Sequence, residues 1–423
     1  MEKLVVYGGK PLKGKVAVSG SKNASLPILT AALLTDEKCV IEGVPNLRDI
    51  TTMIRILRNF GMKVIQDGHR VSIDPCKYTS TEAPYKLVST MRASFCVLGP
   101  LLGKHKKAKV SLPGGCVIGP RPVDLHLKGL RALGAKIDVE GGYVLAKTRG
   151  LRGTSIYLGG SFGSSVLGTA NVLMAAVLAK GRTVIENAAC EPELVDLAHV
   201  LLKMGAKIQG HGTPMLIVDG VRKLGGFKHR VIPDRIEAGT FLLAAAITNS
   251  ELTITGARPD HMGAVLDKLR EVGVQVQVRD TTMIVRKGNP SKYRSVDVVT
   301  LPYPGFPTDM QAQMMALLCR TPGISIITEK IYPDRYMHVA ELGRMGAQIK
   351  MEGACAIIQG VDRLKGAPVM ASDLRASAAL VLAGLASKGT TEVHRLYHLD
   401  RGYDRVDQKL VALGASVHRE KTD

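Results

Sequence analysis

The sequence predicts an α/β protein of two similar domains, each built from three copies of one unit, with helices buried and sheets outside. Three features of the 423-residue chain predict it. A very apolar helix recurs, short strands recur in phase with it, and a bulky residue followed by glycine closes an amphipathic helix in every copy. These glycines are Gly61, Gly134, Gly205, Gly273, Gly346 and Gly414, spaced by 73, 71, 68, 73 and 68 residues. A fixed period along the whole chain indicates a repeat architecture.

Each unit contains a helix that is apolar on nearly every side, which predicts complete burial. The six helices cover residues 26–34, 93–102, 166–178, 238–247, 310–318 and 376–385. A short strand follows each helix, at residues 39–42, 109–112, 183–186, 252–255, 324–327 and 391–394. The strands that close the units, such as residues 282–285, alternate between apolar and polar residues and indicate half-buried sheets.

An amphipathic helix ends each unit at its recurring glycine, the position of a helix C-cap. Six units divide most simply into three and three. The midpoint lies near Val231–Asp234, where Pro233 interrupts the chain and Asp234 can cap the next helix. A cleft between two such domains is the default ligand site.

Composition narrows the functional classes. The formal net charge is +20, but aromatic residues make up only 4% of the chain and Trp is absent, which favours small anionic substrates or a basic surface over nucleic acid. The start lacks a secretory pattern, and apolar runs such as Phe241–Ile247 are too short to span a membrane. The seven cysteines are scattered, so neither a metal site nor a disulfide framework is indicated. We expect a cytoplasmic protein without cofactor, metal or obligate protein partner.

One loop, residues 111–126, is rich in glycine and proline and carries Cys116. Gly114 and Gly115 permit close approach of a ligand. The guanidinium of Arg121 favours a reactive thiolate at Cys116. The alternative is a turn in which the cysteine is a small buried residue.

Equivalent loops and helix starts carry further cations. Arginine occurs in five of the six equivalent loops, at residues 48, 121, 258, 335 and 401, which indicates a surface for a multiply anionic ligand. Helix starts bind anions, and three of them carry Lys22, Arg92 and Arg375. The alternative at the helix starts is simple capping, by Ser21, Asp309 and Asp373.

Several long motifs resemble one family. They are Lys22-Asn23, Thr90–Ser94, Ser111–His126, Phe306–Gln313, Arg335–Val339, Asp373–Ser377 and Tyr397–Tyr403. In these motifs the chain is similar to the UDP-N-acetylglucosamine 1-carboxyvinyltransferase family, the enolpyruvyl transferases that open peptidoglycan synthesis. The resemblance extends to about Ala415. It implies two inside-out α/β barrels, of residues 22–232 and of residues 1–21 with 233–423, and an active site in the cleft between them.

The resemblance also implies roles. Lys22, Arg121 and Arg401 would hold phosphoenolpyruvate, with Arg92 close by. Cys116 would be the general acid, would form a covalent adduct with phosphoenolpyruvate and would be alkylated by fosfomycin. Asp309 would accept the proton of the sugar 3′-hydroxyl. The residues implied on the uridine side are Asn23, Arg121, Pro122, Val123, Asp124, Leu125, Ser165, Val166 and Ile331, and those that complete the catalytic floor are Arg335, Asp373 and Arg375.

Two departures and three alternatives remain. Arg48 stands where the family commonly has Lys, and Leu167 where it often has Gly. A shikimate-pathway enolpyruvyl transferase shares the fold but lacks this loop cysteine. A nucleic-acid end-modifying protein would need a catalytic histidine near the C-terminus, where His394, His398 and His418 lie. An inactive paralogue that binds UDP-sugar is disfavoured by the joint presence of Cys116, Asp309 and Arg401.

Overall fold

The chain forms two compact units. The structure is a computed structural model that describes residues 2–75, 78–113, 123–161 and 163–421. Within those ranges, we call residues 20–232 domain I, and residues 2–19 together with 233–421 domain II.

The described residues form six four-stranded sheets that share one topology. An edge strand pairs in parallel with the strand after the buried helix, and two antiparallel strands follow. In spatial order, the sheets of domain I are Phe227–Arg230, Cys39–Glu42, Arg70–Asp74 and Lys63–Asp67; Glu82–Ala83, Lys107–Ser111, Tyr143–Lys147 and Lys136–Glu140; and Ser155–Tyr157, Arg182–Glu186, Met215–Asp219 and Lys207–Gln209. Those of domain II are Lys13–Ala17, Glu251–Thr255, Thr282–Val285 and Val276–Arg279; Val298–Val299, Ile324–Thr328, Cys355–Gln359 and Gln348–Glu352; and Pro368–Met370, Thr390–His394, Glu2–Tyr7 and Ser416–Lys421.

Most units contribute one buried and one amphipathic α-helix, and short 3₁₀ helices extend several of them. The α-helices of domain I are α1 (Lys22–Ala31), α2 (Arg48–Asn59), α3 (Tyr85–Val88), α4 (Leu98–His105), α5 (Asp124–Ala132), α6 (Val166–Ala176) and α7 (Pro192–Lys203). Those of domain II are α8 (Arg235–Ile247), α9 (Gly263–Val272), α10 (Gln311–Leu318), α11 (His338–Arg344), α12 (Leu374–Ala386) and α13 (Val406–Ala412). The 3₁₀ helices are Ala32–Leu34, Arg92–Val97, Pro259–His261, Pro290–Lys292, Thr308–Met310 and Leu396–Arg401.

Each domain is an inside-out α/β barrel. The central helices α1, α4 and α6 of domain I, and α8, α10 and α12 of domain II, pack against one another and are buried over most of their length. Each domain has its own apolar core. The sheets bury one face and expose the other, as the alternating burial of Glu251–Thr255 shows. The predicted arrangement of helices and sheets is confirmed.

The recurring glycines end the amphipathic helices as predicted. All six adopt φ between 88° and 100°, the left-handed region that a side chain would strain. The period found in the sequence is therefore the period of the helix ends.

The chain passes from domain II to domain I between Ser19 and Gly20, two residues before the boundary expected from the sequence. Ser21 belongs to domain I because its N–H donates to the Ile232 carbonyl at 2.8 Å and its hydroxyl caps α1. Asp234 caps α8, as predicted, by accepting from the N–H groups of Ile236 and Glu237. Among the described residues, no helix is long and apolar enough to cross a membrane.

Candidate active site

The predicted site residues fall into two groups. Domain I carries Lys22, Asn23, Arg92, Val123, Asp124, Leu125, Ser165 and Val166, whereas domain II carries Asp309, Ile331, Arg335, Asp373, Arg375 and Arg401. Cys116, Arg121 and Pro122 lie outside the described residues. Each group is described within its own domain.

Asp309 lies between two buried arginines in domain II. Arg335 Nη1 donates to its Oδ1 at 2.9 Å, and Arg375 Nη2 donates to its Oδ2 at 3.1 Å. The side chains of Arg335 and Arg375 are 4% and 1% exposed, whereas that of Asp309 is 26% exposed. The two guanidinium groups orient the carboxylate through charge-assisted hydrogen bonds, while part of it reaches solvent.

The charges in this cluster depend on one another. Burial, the largest single influence, lowers the pKa of Arg335 and Arg375, but the surrounding acidic groups together, with Asp309 foremost, raise both pKa values above the usual range. The guanidinium of Arg375 also lies 5.2 Å from the ring centre of Tyr403. The Tyr403 hydroxyl is in turn hydrogen-bonded to Thr240 Oγ1 at 2.9 Å. Arg375 is therefore a permanent cation held on a rigid, buried support.

Asp373 caps α12 by accepting from the N–H groups of Arg375 and Ala376. Burial raises the pKa of this carboxyl, but the charge of Arg335 and the two N–H groups lower it below its usual value. Burial lowers the pKa of the neighbouring His338 to about 4. At neutral pH this region therefore contains an ionised carboxylate beside a neutral imidazole.

Two further predicted residues lie near this cluster in domain II. The N–H of Ile331 donates to Glu329 Oε1 at 2.8 Å, which fixes the start of the loop that leads to Arg335. Arg401 ends the 3₁₀ helix Leu396–Arg401. Burial lowers the pKa of His398 in the same turn, and the charge of Arg401 lowers it further.

In domain I, Lys22 and Asn23 occupy the first turn of α1, which Ser21 caps. Lys22 Nζ lies 3.5 Å from Asp49 Oδ2, and both side chains are less than 9% exposed. The ammonium is thus held beside the start of α1, an arrangement suited to an anionic ligand.

Arg92 begins the 3₁₀ helix Arg92–Val97 that precedes α4. Burial, with a contribution from the charge of Arg92, lowers the pKa of His126 to about 3. His126 Nδ1 accepts a hydrogen bond from Asn171 Nδ2 at 2.9 Å, and the same amide donates to the Phe95 carbonyl. This network ties the start of α5 to the segment that carries Arg92.

The fold brings two of the predicted uridine-side segments of domain I together. Asp124 and Leu125 begin α5, and Ser165 caps α6 by accepting from the N–H of Gly168 at 3.1 Å. A β-carbon placed on Gly168 would lie 3.7 Å from the β-carbon of Leu125. The starts of α5 and α6 are therefore neighbours.

Two sequence expectations need correction. Asp309 is not a helix cap, since Pro307 and Met310 occupy the cap positions around it and its carboxylate pairs with the two arginines instead. Arg258 forms an exposed pair with Asp260, two residues away. Its guanidinium is satisfied locally, so the five loop arginines are not equivalent.

Sequence reasoning assigned no role to Thr308, Glu329 or Tyr403. Thr308 and Tyr403 lie within the motifs that resemble the family, and this was their only signal. Glu329 has no such signal, because a single glutamate after a strand is ordinary in sequence.

Comparison with known proteins identifies the family. A family model described as EPSP synthase (3-phosphoshikimate 1-carboxyvinyltransferase) matches residues 6–410. Proteins named UDP-N-acetylglucosamine 1-carboxyvinyltransferase are 54% identical over 419 residues in Methylacidiphilum infernorum and 52% identical over 427 residues in Akkermansia muciniphila. The first alignment covers 99% of each chain and the second covers 100% of each.

Solved structures agree with this fold. The enolpyruvyl transferase NikO from Streptomyces tendae matches with a TM-score of 0.90 at 23% identity, over 100% of this chain and 99% of that one. An EPSP synthase from Acinetobacter baumannii matches over the whole of both chains with a TM-score of 0.75 at 17% identity. The chain therefore belongs to the enolpyruvyl transferase family, in the group of UDP-N-acetylglucosamine 1-carboxyvinyltransferases.

Proposed function

We propose that this protein transfers the enolpyruvyl group of phosphoenolpyruvate to the 3′-hydroxyl of UDP-N-acetylglucosamine and releases inorganic phosphate. Full-length relatives at 52–54% identity support this reaction. The structural observation that supports this chemistry most strongly is the partly exposed carboxylate of Asp309, which forms ion pairs with Arg335 and Arg375. Domains I and II are then the two enolpyruvyl-transferase domains.

The reaction proceeds by addition and elimination. Asp309 takes the proton of the sugar hydroxyl as its oxygen attacks C2 of phosphoenolpyruvate, while the Cys116 thiol donates a proton to C3. The adduct carries phosphate, carboxylate and the new ether oxygen on C2. The Cys116 thiolate then takes a proton back from C3, which expels phosphate from C2 and restores the double bond. Asp309 passes its proton to the departing phosphate. General acid and base catalysis of this kind contributes about 10²–10⁴-fold each.

Cations hold the anionic substrate. Lys22, Arg92, Arg121 and Arg401 bind the phosphate and carboxylate of phosphoenolpyruvate. The buried pair of Lys22 with Asp49 supports this role, because it fixes the ammonium at the start of α1. Guanidinium groups match the oxygens of phosphate and carboxylate in pairs, which also orients the reacting carbon.

Cys116 is proposed as the proton donor and as the nucleophile that forms a covalent adduct with phosphoenolpyruvate. A thiol with an unperturbed pKa of roughly 8.5 keeps its proton at neutral pH yet ionises beside a cation such as Arg121. The same reactivity makes Cys116 the residue that fosfomycin alkylates.

The nucleotide sugar is proposed to contact the neighbouring starts of α5 and α6 together with Ile331 of domain II. Its contacts are Asn23, Arg121, Pro122, Val123, Asp124, Leu125, Ser165, Val166 and Ile331. Arg335, Asp373 and Arg375 lie behind the reacting groups. The buried cap of Asp373 and the fixed N–H of Ile331 support this assignment.

The product commits the nucleotide sugar to peptidoglycan, so we propose a role in cell-wall synthesis. Through the cell wall, this role extends to cell shape, the cell cycle and cell division. We propose that the reaction takes place in the cytoplasm. The experiment is a proton spectrum of the nucleotide-sugar product after incubation with phosphoenolpyruvate. Two vinyl protons and an ether at the sugar 3′ position are expected. An unchanged UDP-N-acetylglucosamine spectrum would contradict the proposal.

A further inference from the structure

Glu329 is a completely buried carboxylate next to the candidate site in domain II. Its Oε1 accepts from Thr300 Oγ1 at 2.6 Å and from the N–H groups of Ile331 at 2.8 Å and Tyr332 at 3.0 Å. Its Oε2 accepts from Thr308 Oγ1 at 2.9 Å. Among the described residues, no cation forms an ion pair with it. Four donors therefore replace the water shell of this carboxylate.

Stability alone does not account for a buried carboxyl group of this kind. Removing a carboxylate from water is costly, and a well-packed apolar side chain is usually as stable or more stable at such a position. All four neighbours of Glu329 donate a hydrogen to its carboxyl oxygens. A fully satisfied buried network fixes a single arrangement of its members.

One arm of the network leads to Asp309 through Thr308. The Thr308 hydroxyl has one hydrogen and donates it to Glu329, so its oxygen is left to accept. Arg335 Nη1 donates to that oxygen at 3.0 Å and, through the same nitrogen, to Asp309 Oδ1 at 2.9 Å. Glu329 thus fixes the direction of the Thr308 hydroxyl, and this hydroxyl fixes the position of the Arg335 guanidinium that binds Asp309.

The other arm fixes the backbone that carries Arg335. Glu329 binds the N–H groups of Ile331 and Tyr332, and the Tyr332 carbonyl accepts from the N–H of Arg335 at 2.9 Å. The carboxylate therefore controls both the main chain and the side chain of Arg335.

We propose that Glu329 is a positioning residue for enolpyruvyl transfer, which acts through Thr308 and Arg335 to aim the carboxylate of Asp309. Glu329 itself does not touch the reacting atoms. The inference rests on the proposed function, because it takes Asp309 as the base that receives the proton of the sugar hydroxyl.

The rival explanation is that Glu329 only stabilises its loop. A change at Thr300 distinguishes the two explanations. Thr300 donates to Oε1 of Glu329 but makes no contact with Thr308 or Arg335 in the hydrogen-bond network described above. The variants are Glu329→Gln, Thr308→Val and their double, with Thr308→Ser and Thr300→Val as controls. Each is measured for kcat, for the KM of both substrates and for its melting temperature.

In Glu329→Gln the amide nitrogen faces Thr308 and reverses its hydrogen bond, while the amide oxygen still accepts from the two N–H groups. We expect kcat to fall about 10- to 100-fold, since a small misplacement of a reacting group has effects of this size. In Thr308→Val we expect kcat to fall by the same factor, with the KM of each substrate within about threefold of the parent value. In the double variant kcat should fall no further. Thr308→Ser should restore kcat, and Thr300→Val should lower the melting temperature but not kcat.

Three results would overturn the inference. They are a kcat within about threefold of the parent in Thr308→Val, losses that multiply in the double variant, and an equal kcat loss in Thr300→Val. If the parent protein releases no phosphate, the proposed function fails instead. A crystal structure of Thr308→Val then decides the positioning claim. We expect Arg335 Nη1 to leave hydrogen-bonding distance of Asp309 Oδ1, and an unmoved Arg335 would refute it.

Discussion

Arg375 is 1% exposed, yet its Nη2 lies 3.1 Å from Oδ2 of Asp309, which is 26% exposed. The contact joins a buried helix of domain II to a short turn 66 residues earlier in the chain. A guanidinium buried so deeply depends on its carboxylate for charge balance, and the carboxylate gains a fixed direction from it. The carboxylate of Asp309 is therefore an accessible hydrogen-bond acceptor that the buried Arg375 holds in a fixed direction.

Replacing Asp309 by alanine should damage both activity and folding. The change leaves Arg335 and Arg375 without their shared carboxylate, which costs about 3–5 kcal/mol of unfolding free energy. It also removes the proposed base, so kcat should fall at least about 100-fold.

The matched control is Asp260→Ala. It breaks an exposed arginine pair, with Arg258, and should cost at most about 1 kcal/mol with kcat unchanged. Denaturant unfolding and phosphate release measure both effects. Equal stability losses in the two variants would contradict the importance of the buried cluster.

Asp49→Asn should weaken the hold on phosphoenolpyruvate. Lys22 and Asp49 are both buried, so loss of the carboxylate removes much of the charge that fixes the ammonium at the start of α1. We expect a raised KM for phosphoenolpyruvate and lower stability. Asp36→Asn, which breaks the exposed pair with Lys104, should change neither. An unaltered KM in Asp49→Asn would show that Asp49 does not position Lys22.

His126 should make the protein less stable in acid. Burial lowers the pKa of its folded form to about 3, whereas the unfolded ring titrates near pH 6.5. Below pH 6.5 the unfolded state therefore binds the additional proton. The stability contributed by neutral His126 is complete above pH 6.5 and is lost toward pH 3, at roughly 1.4 kcal/mol per pH unit.

Denaturant unfolding between pH 7 and pH 4 tests this effect. In His126→Gln, the slope of unfolding free energy against pH should be smaller than in the parent by the equivalent of about one proton, whatever the absolute stability of the variant. Identical slopes would mean that His126 is not held neutral in the folded state.

Electrophiles should label the folded protein at Cys116 in preference to its buried thiols. Burial raises the pKa of Cys39, Cys96 and Cys319 to about 12, so these three are almost entirely protonated and shielded at neutral pH. Peptide mapping after fosfomycin treatment should find the adduct on Cys116, and Cys116→Ala should abolish it. Labelling of Cys39 or Cys319 before unfolding would contradict the burial argument.

The repeat predicted the fold well because its signals are local. A glycine that must adopt positive φ, such as Gly273, and a helix without a polar face can each be recognised within a few residues of sequence. Sheet pairing across the chain termini was harder. Glu2–Tyr7 pairs with Thr390–His394, and its assignment to domain II came from the family resemblance rather than from periodicity.

The sequence proposes the residues of the candidate site but not the contacts between them. Asp309 has the sequence context of a helix cap, and only the fold brings Arg335 and Arg375 to it from 26 and 66 residues away. Glu329 shows the same limit, since its partners Thr300 and Thr308 lie on other segments. Hydrogen-bond networks between distant segments leave no periodic trace in a single sequence.

Phosphate release tests the central claim most directly. The protein is mixed with phosphoenolpyruvate and, in separate reactions, with UDP-N-acetylglucosamine, with shikimate 3-phosphate or without an acceptor. We predict stoichiometric phosphate release only in the reaction that contains UDP-N-acetylglucosamine as the acceptor. This phosphate release should be lost in Asp309→Ala and Cys116→Ala. Release with shikimate 3-phosphate and none with the nucleotide sugar would contradict the account.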